Sequence, residues 1–166
     1  MMRRLALASA LFVAVGSAAP SMASTATTTS NLGITASVPN NCTISASPLN
    51  FGTYNPTSLL TGTGTVTTTC TSGASATITL GQGSNPDGGS SDAYPFRQLA
   101  VGTNKLTYYL YQDAGRVTVW GNTAGTGLSI NGTGNAQGST VYGQIPAAQN
   151  VPAGSYSDTV TATVTY

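Results

Sequence analysis

Cys42 and Cys70 carry the most definite chemistry in this 166-residue chain. In an exported protein, two cysteines most simply form one disulfide, which here would close a loop of roughly 29 residues. Such a cross-link would remove about 3.5 kcal/mol of conformational entropy from the unfolded chain. A free reactive pair or half of a metal site is the alternative, but the sequence has no histidine to assist either of them.

The remaining inventory argues against catalysis and metal binding. Glutamate is absent as well, and the acidic side chains are Asp87, Asp92, Asp113 and Asp158. A nucleophile needs a neighbouring base and a glycosidase needs paired carboxylates, so we predict no enzymatic activity and no cofactor. Asn85, Asp87 and Asp92 could offer oxygen ligands to calcium, but their spacing departs from the EF-hand pattern. We therefore expect a solvated loop there and predict no metal site.

Three tyrosines in one short segment, Tyr108, Tyr109 and Tyr111, could form a stacking platform for sugars. Alternation in a strand would instead direct Tyr108 and Leu110 towards the core and the other two tyrosines to the opposite face. Aromatic residues are ordinary strand formers, so strand packing is the expected explanation of this cluster.

The first 23 residues have the pattern of a secretory signal peptide. A positive start at Arg3 and Arg4 is followed by the apolar stretch Leu5–Val15 and by the small-residue cleavage site Ser21-Met22-Ala23. The apolar stretch is too short to span a bilayer as a stable helix. Cleavage after Ala23 would leave about 143 residues, enough for one domain with its own core. We predict an exported protein that is not inserted in the membrane.

The predicted mature chain has almost no net charge. Without Arg3 and Arg4 it has three basic and four acidic side chains, which gives a net charge of −1. No basic patch is available to neutralise phosphates, so we predict no nucleic-acid partner. Weak self-repulsion favours association between copies of the chain.

Residues 24–41 are predicted to form an N-terminal arm. Ser24–Ser30 is polar and threonine-rich, and on its own it is expected to be unstructured. The segment Leu32–Val38 then alternates as a strand does, before Pro39-Asn40-Asn41 ends it. Its apolar face consists of Leu32, Ile34, Ala36 and Val38. This strand could be the first strand of the protein's own domain, or it could be donated to another molecule.

Residues 42–166 are predicted to form one all-β sandwich, because short alternating runs are separated by frequent turn signals and no helical period is present. The runs are Cys42–Ala46 with Leu49–Tyr54 as one interrupted edge strand, Thr63–Thr71 and Ala74–Leu80 as a hairpin, Phe96–Val101, Leu106–Gln112, Val117–Trp120, Leu128–Ile130, Thr140–Ile145 and Tyr156–Tyr166.

The last run has an apolar face, and Asp158 is in phase with it. We expect this strand to have a free edge, because no residue follows it in the chain. Its apolar face consists of Tyr156, Val160, Ala162, Val164 and Tyr166.

Several short sequence motifs along the predicted mature chain resemble those of a known family. They are Cys42 followed by Leu49-Asn50-Phe51-Gly52-Thr53-Tyr54, then Val66-Thr67-Thr68-Thr69-Cys70, Leu106-Thr107-Tyr108-Tyr109-Leu110-Tyr111-Gln112-Asp113, Trp120-Gly121, Val141-Tyr142-Gly143-Gln144-Ile145-Pro146 and Gly154-Ser155-Tyr156-Ser157-Asp158-Thr159-Val160. In number, order and spacing they resemble the spore coat protein U domain family. That family includes the shaft subunits of archaic chaperone–usher pili of the Csu type.

The resemblance implies an incomplete immunoglobulin-like sandwich that lacks its last strand. A periplasmic chaperone would lend a strand during export through an outer-membrane usher, and the arm of the next subunit would replace it in the fibre. The donor face would be the apolar face of the arm, and a Cys42–Cys70 disulfide would tie the first strand to the second. The acceptor groove would be bordered by the terminal strand, with Val160, Ala162, Val164 and Tyr166.

Our leading hypothesis is therefore a structural pilin of an extracellular pilus that serves surface adhesion and biofilm formation. Its partners would be copies of itself or related pilins, the chaperone and the usher. The alternatives are a structural protein of a spore or cyst coat and a monomeric secreted binding module.

Overall fold

The computed structural model describes residues 22–166, and these contain eight β-strands and no helix. The chain divides into two units, of which the second is Ser37–Tyr166. Of the first unit, which ends at Ala36, residues 22–36 are described, and they form no strand. The predicted signal peptide lies outside the described residues except for its last two. The predicted all-β fold is confirmed.

The strands form two sheets. In chain order they are β1 Cys42–Ser47, β2 Leu60–Cys70, β3 Ser75–Leu80, β4 Arg97–Val101, β5 Asn104–Tyr111, β6 Leu128–Asn131, β7 Ala136–Ile145 and β8 Ala162–Thr165. The five-stranded sheet has the order β1-β2-β7-β5-β4, and the three-stranded sheet has the order β6-β3-β8. Every pairing of neighbouring strands is antiparallel.

The core lies between the two sheets because alternate residues of each strand are apolar. In β5, Leu106, Tyr108 and Leu110 are buried, whereas Tyr109 and Tyr111 are only half-buried on the outer face. The outer tyrosines pack on one another, as the strand-packing interpretation of the tyrosine cluster predicts. The buried apolar cluster draws on both sheets and consists of Val66, Ile78, Leu80, Leu106, Tyr108, Leu110, Trp120, Val141 and Ile145.

Arg97, at the start of β4, and Trp120 link the two sheets near the end of β3. Both side chains are fully buried. The guanidinium of Arg97 donates 2.8 Å hydrogen bonds to the backbone carbonyls of Leu80, Gly81 and Trp120. The indole Nε1 of Trp120 donates to the Ile78 carbonyl at 2.9 Å. Burial lowers the pKa of Arg97 to about 10, and one of its nitrogens, Nη1, has no hydrogen-bond partner.

Four predicted elements differ from the structure. Val117–Trp120 is not a strand, and only Val119 forms an isolated bridge, with Tyr111. The strands around Ser72-Gly73 do not form a hairpin, because β2 pairs with β1 and β7 while β3 belongs to the other sheet. Leu49–Tyr54 is irregular and does not continue β1. The terminal strand begins only at Ala162, although Ser157 forms an isolated bridge with Ala100 of β4.

Candidate functional site

A long groove opens between two segments of the Ser37–Tyr166 unit. One wall is Ala46–Tyr54, which comprises the end of β1 and the irregular segment after it, and the other is Tyr156–Ala162, which leads into β8. The groove consists of two hollows of about 320 and 710 Å³. Both hollows are lined by Leu49, Phe51 and Asp158, so they form one continuous opening.

The floor of the groove is the hydrophobic core itself. Buried residues of β2, β3, β5 and β7 line the smaller hollow, namely Val66, Leu80, Tyr108, Leu110 and Val141. Leu106 and Ile145, also buried, line the larger hollow. The two sheets therefore leave their apolar interior accessible along one side, where a complete sandwich would cover it with a further strand.

The groove also exposes an unpaired strand edge. Among the described residues β8 pairs with β3 alone, and the Thr161 carbonyl accepts a hydrogen bond from the Gly81 amide on that side. Because backbone groups of successive strand residues point to opposite sides, those of Val160 and Ala162 point towards the groove. They offer a row of donors and acceptors to an added strand.

The opposite wall begins at an edge strand that is cross-linked at its first residue. β1 pairs with β2 alone among the described residues, and Cys42 lies directly opposite Cys70 in that pair. The two cysteines form a disulfide, which confirms the predicted cross-link. The sheet order also places β1 at an edge of the five-stranded sheet, as predicted from Pro48.

Leu49 and Phe51 shape the wall by packing over glycines. A side chain at Gly143 would meet the Phe51 ring at 2.7 Å and Leu49 Cδ1 at 2.9 Å. Gly62 and Gly64 of β2 leave room for Leu49 in the same way. Phe51 also meets Tyr108 edge to face, with the ring centres 5.9 Å apart. Glycines inside strands often mark a close approach, and this signal could have indicated the packing from the sequence.

Asp158 places a carboxylate where the two hollows of this otherwise uncharged opening join. Its Oδ2 accepts a 2.7 Å hydrogen bond from the Tyr108 hydroxyl, and its Oδ1 accepts hydrogen bonds from the Ser84 amide and from Asn85 Nδ2. Burial, and then the hydrogen bond to Asp158, raise the pKa of Tyr108. Two separate segments, β5 and the loop after β3, thus hold the carboxylate in place.

The apolar residues predicted to border the acceptor groove on the terminal strand do not all lie in the groove. Val160 and Ala162 line the groove, and Val164 packs against the core. Tyr166 is 53% exposed, and its hydroxyl donates to Asn41 Oδ1 at 3.4 Å. A role of these residues in accepting a strand stays a prediction.

The predicted donor residues lie outside any strand. Leu32 and Ile34 are each 85% exposed and Val38 is 81% exposed. Ala36 is exposed as well. The arm therefore presents alternating apolar side chains to solvent.

The loop considered for calcium holds no metal cluster. Within residues 22–166 no group of three or more His, Cys, Asp or Glu side chains could bind a metal ion. The carboxylate of Asp92 is instead hydrogen-bonded by Asn122 and Gln82, which lower its pKa. In the same part of the chain, no helix has the length and hydropathy needed to cross a membrane.

Comparisons with known proteins agree with this architecture. The model of the Spore Coat Protein U domain family matches residues 28–163. Protein U of Myxococcus xanthus is 49% identical over 89 residues, which are 52% of this chain and 50% of that protein. The chain thus matches about half the length of this curated relative.

A solved structure shares the fold. It is a chain of the pre-assembly complex between the chaperone CsuC and the tip adhesion subunit CsuE, from archaic chaperone–usher Csu pili of Acinetobacter baumannii. The TM-score is 0.58 at 24% sequence identity, and the match covers 78% of this chain and 40% of that one. Because the family model covers most of the sequence, this chain belongs to the spore coat protein U domain family.

Proposed function

We propose that this protein is a structural subunit of an extracellular chaperone–usher pilus and polymerises by donor-strand exchange. In this assembly, the arm of one copy fills the groove of the next. The observation that carries the proposal is the groove. Core residues form its floor, and the free edge of β8 runs along one of its walls. A single inserted strand would cover both at once.

The arm has the composition that such a groove requires. An added strand gains affinity from backbone pairing, and its alternate side chains fill pockets that fix the register. Burial of three large aliphatic side chains and one alanine contributes roughly 5–9 kcal/mol before ordering costs. The exposed side chains of Leu32, Ile34 and Val38 are available for this burial.

An open groove also requires protection before assembly. An exposed core and an unpaired edge favour aggregation, so a periplasmic chaperone would occupy the groove until an outer-membrane usher brings in the next subunit. The solved chaperone–subunit complex with the same fold supports this partnership. The protein would then reside at the cell surface in a fibre that serves adhesion and biofilm formation, with a structural role and no catalytic one.

Deletion of residues 24–39 tests the proposal. In cells that co-express the chaperone and usher of the same assembly system, the shortened subunit should bind the chaperone but form no fibres visible by electron microscopy. Normal fibres from this deletion would refute donor-strand exchange.

A point substitution tests the contribution of the apolar face separately from that of the arm as a whole. Leu32→Asp should reduce fibre yield at least tenfold, because it places a charge in an apolar pocket. Thr35→Asp is the matched control, since Thr35 lies on the opposite face of the arm and should tolerate a charge. Fibre yield on immunoblots of sheared material measures both, and equal losses would contradict the assigned face.

A structural protein of a spore or cyst coat is the second candidate. The 49% identity to Protein U and the family's description favour it. The same fold would then assemble into a coat matrix. Genes for a chaperone and an usher beside this one would favour the pilus, and immunogold labelling confined to a spore or cyst coat would favour the coat.

A further inference from the structure

We propose that Asp158 sets the register of the joint, so that Ala36 of the incoming copy lies opposite the Asp158 carboxylate. This inference rests on the proposed function, because it specifies how the arm sits in the groove. It assigns Asp158 a positioning role and explains why a small residue interrupts the larger aliphatic residues of the arm.

Asp158 is the charged residue in the lining of both hollows, whose other members are apolar or neutral. Its oxygens accept three hydrogen bonds, from Tyr108, Ser84 and Asn85. Gly83 adopts a φ of +85°, and a side chain there would collide with Asp158 Oδ2. The carboxylate is thus held in place by its surroundings and cannot easily turn away from an incoming strand.

The direction of the added strand follows from its neighbour. All paired strands in this fold are antiparallel, and antiparallel pairs are the commoner arrangement in sheets generally. A strand added antiparallel to the Tyr156–Thr165 segment must place its inward residues opposite the inward residues of that segment, because the side-chain period is two. Allowed registers therefore differ in steps of two residues.

Side-chain size and charge distinguish these registers. With Ala36 opposite Asp158, Leu32 faces the small Ala162, Ile34 faces Val160, and Val38 faces Tyr156 in the larger hollow. A shift of two residues in either direction places Val38 or Ile34 against the carboxylate. A branched aliphatic group there would strip water from a charge without supplying a hydrogen bond. Ala36 is the residue on the donor face that leaves the carboxylate its hydration.

Engineered disulfides between copies test the register and leave Asp158 and the apolar residues of the groove unchanged. In the proposed register Thr35 lies opposite Thr159, whereas the two shifted registers place it opposite Ser157 or Thr161. All four side chains are exposed. The backbone groups of Thr159 and Thr161 point to the side of β3. With a donor strand on the other side, each of them would form the closer, non-hydrogen-bonded type of pair, which suits a disulfide.

The full chain carrying Thr35→Cys would be combined in turn with Thr159→Cys, Ser157→Cys and Thr161→Cys, and assembled with chaperone and usher. Non-reducing gels of the fibres should show a covalent ladder for Thr159→Cys at least tenfold stronger than for the two controls, with mass spectrometry locating the bond. A stronger ladder from either control, or none from fibres of all three, would overturn the register while leaving the proposed function intact. Failure of the parent without the engineered cysteines to form fibres would instead overturn the proposed function.

The role of Asp158 is tested in the Thr35→Cys, Thr159→Cys background. Ala36→Val should lower the cross-linked fraction at least tenfold, and Ala36→Gly should leave it within about twofold. Adding Asp158→Asn to Ala36→Val should restore the fraction to within about threefold of the parent, because the uncharged amide tolerates the neighbouring valine better. A loss that Asp158→Asn does not relieve would overturn the assignment. Cross-linking of Asp158→Asn alone verifies that this substitution leaves the groove intact.

Discussion

In one region of the sandwich, the closed side, Arg97 ties the two sheets together, whereas in another the groove leaves their shared core open. The first side is closed by three hydrogen bonds from one guanidinium and by the buried indole of Trp120. The second has a cross-linked edge strand on one wall and the free edge of β8 on the other.

This difference shows where the fold obtains its stability without the missing strand. Polar ties on the closed side hold the two sheets together, and a covalent bond fastens β1 to β2 within one sheet, while the groove stays open. The groove itself is lined by Leu49 and Phe51 on an irregular segment, which can adjust more readily than a paired strand can. The following predictions test this division, from the largest expected effect to the smallest.

Removing the polar tie should have the largest effect. Arg97→Ala leaves three buried carbonyls without a donor and should lower the free energy of unfolding by about 3–5 kcal/mol. Arg116→Ala is the control, because that side chain is only half-buried and its loss should cost under about 1 kcal/mol. Urea unfolding monitored by tryptophan fluorescence measures both. Equal losses of stability in the two variants would mean that the hydrogen bonds of Arg97 do not hold the two sheets together.

Removing the covalent tie should cost somewhat less. The double variant Cys42→Ala, Cys70→Ala frees the start of β1 and should lower the free energy of unfolding by about 3.5 kcal/mol. Reduction of the wild-type disulfide should have a similar effect in the same urea titration. If both changed stability by under about 0.5 kcal/mol, β1 would not depend on its cross-link.

Crowding the groove wall should have a moderate effect. Gly143→Ala forces Phe51 and Leu49 away from β7 and should cost about 1–3 kcal/mol, as overpacking usually does. Gly125→Ala is the matched control, because a side chain there would meet no atom within 4 Å. Thermal unfolding by circular dichroism distinguishes them. A neutral Gly143→Ala would indicate that the segment moves freely and does not shape the wall.

The smallest effect concerns pH. The folded protein raises the pKa of Tyr108 above its ordinary value of 10.0, so the unfolded chain releases this proton first. The stabilisation is complete below pH 10 and is lost as the pH rises towards the folded-state pKa, by about 1 kcal/mol between pH 10 and 11. Tyr108→Phe should remove this part of the pH dependence of the free energy of unfolding, which urea titrations at several pH values measure. Identical slopes in the two proteins would contradict the buried, hydrogen-bonded hydroxyl.

Local periodicity was sufficient to predict much of this architecture. Alternation in the sequence correctly placed Tyr108 and Leu110 inwards, and Pro48 correctly indicated that β1 is an edge strand. The disulfide followed from two cysteines in an exported chain. Each of these features depends on neighbouring residues or on composition, which a single sequence displays directly.

Pairings between distant segments could not be predicted in the same way. The turn at Ser72-Gly73 is compatible with a hairpin, but β2 pairs with β1 and the distant β7, and β3 pairs with the distant β6 and β8. Arg97 has the sequence signature of an exposed residue, and the carbonyls that satisfy it are brought together only by folding. Asp158 was in phase with the buried face, yet its three hydrogen-bond donors come from other segments.

The central claim is that the groove accepts the arm of another copy, and filling it within one molecule tests this most directly. Residues 31–39 appended after Tyr166 through a flexible linker should raise the free energy of unfolding of the full chain by about 5 kcal/mol and abolish fibre formation. The same extension with Leu32→Asp and Ile34→Asp in the appended copy should do neither. Unchanged stability and undiminished fibres with the unaltered extension would contradict the account.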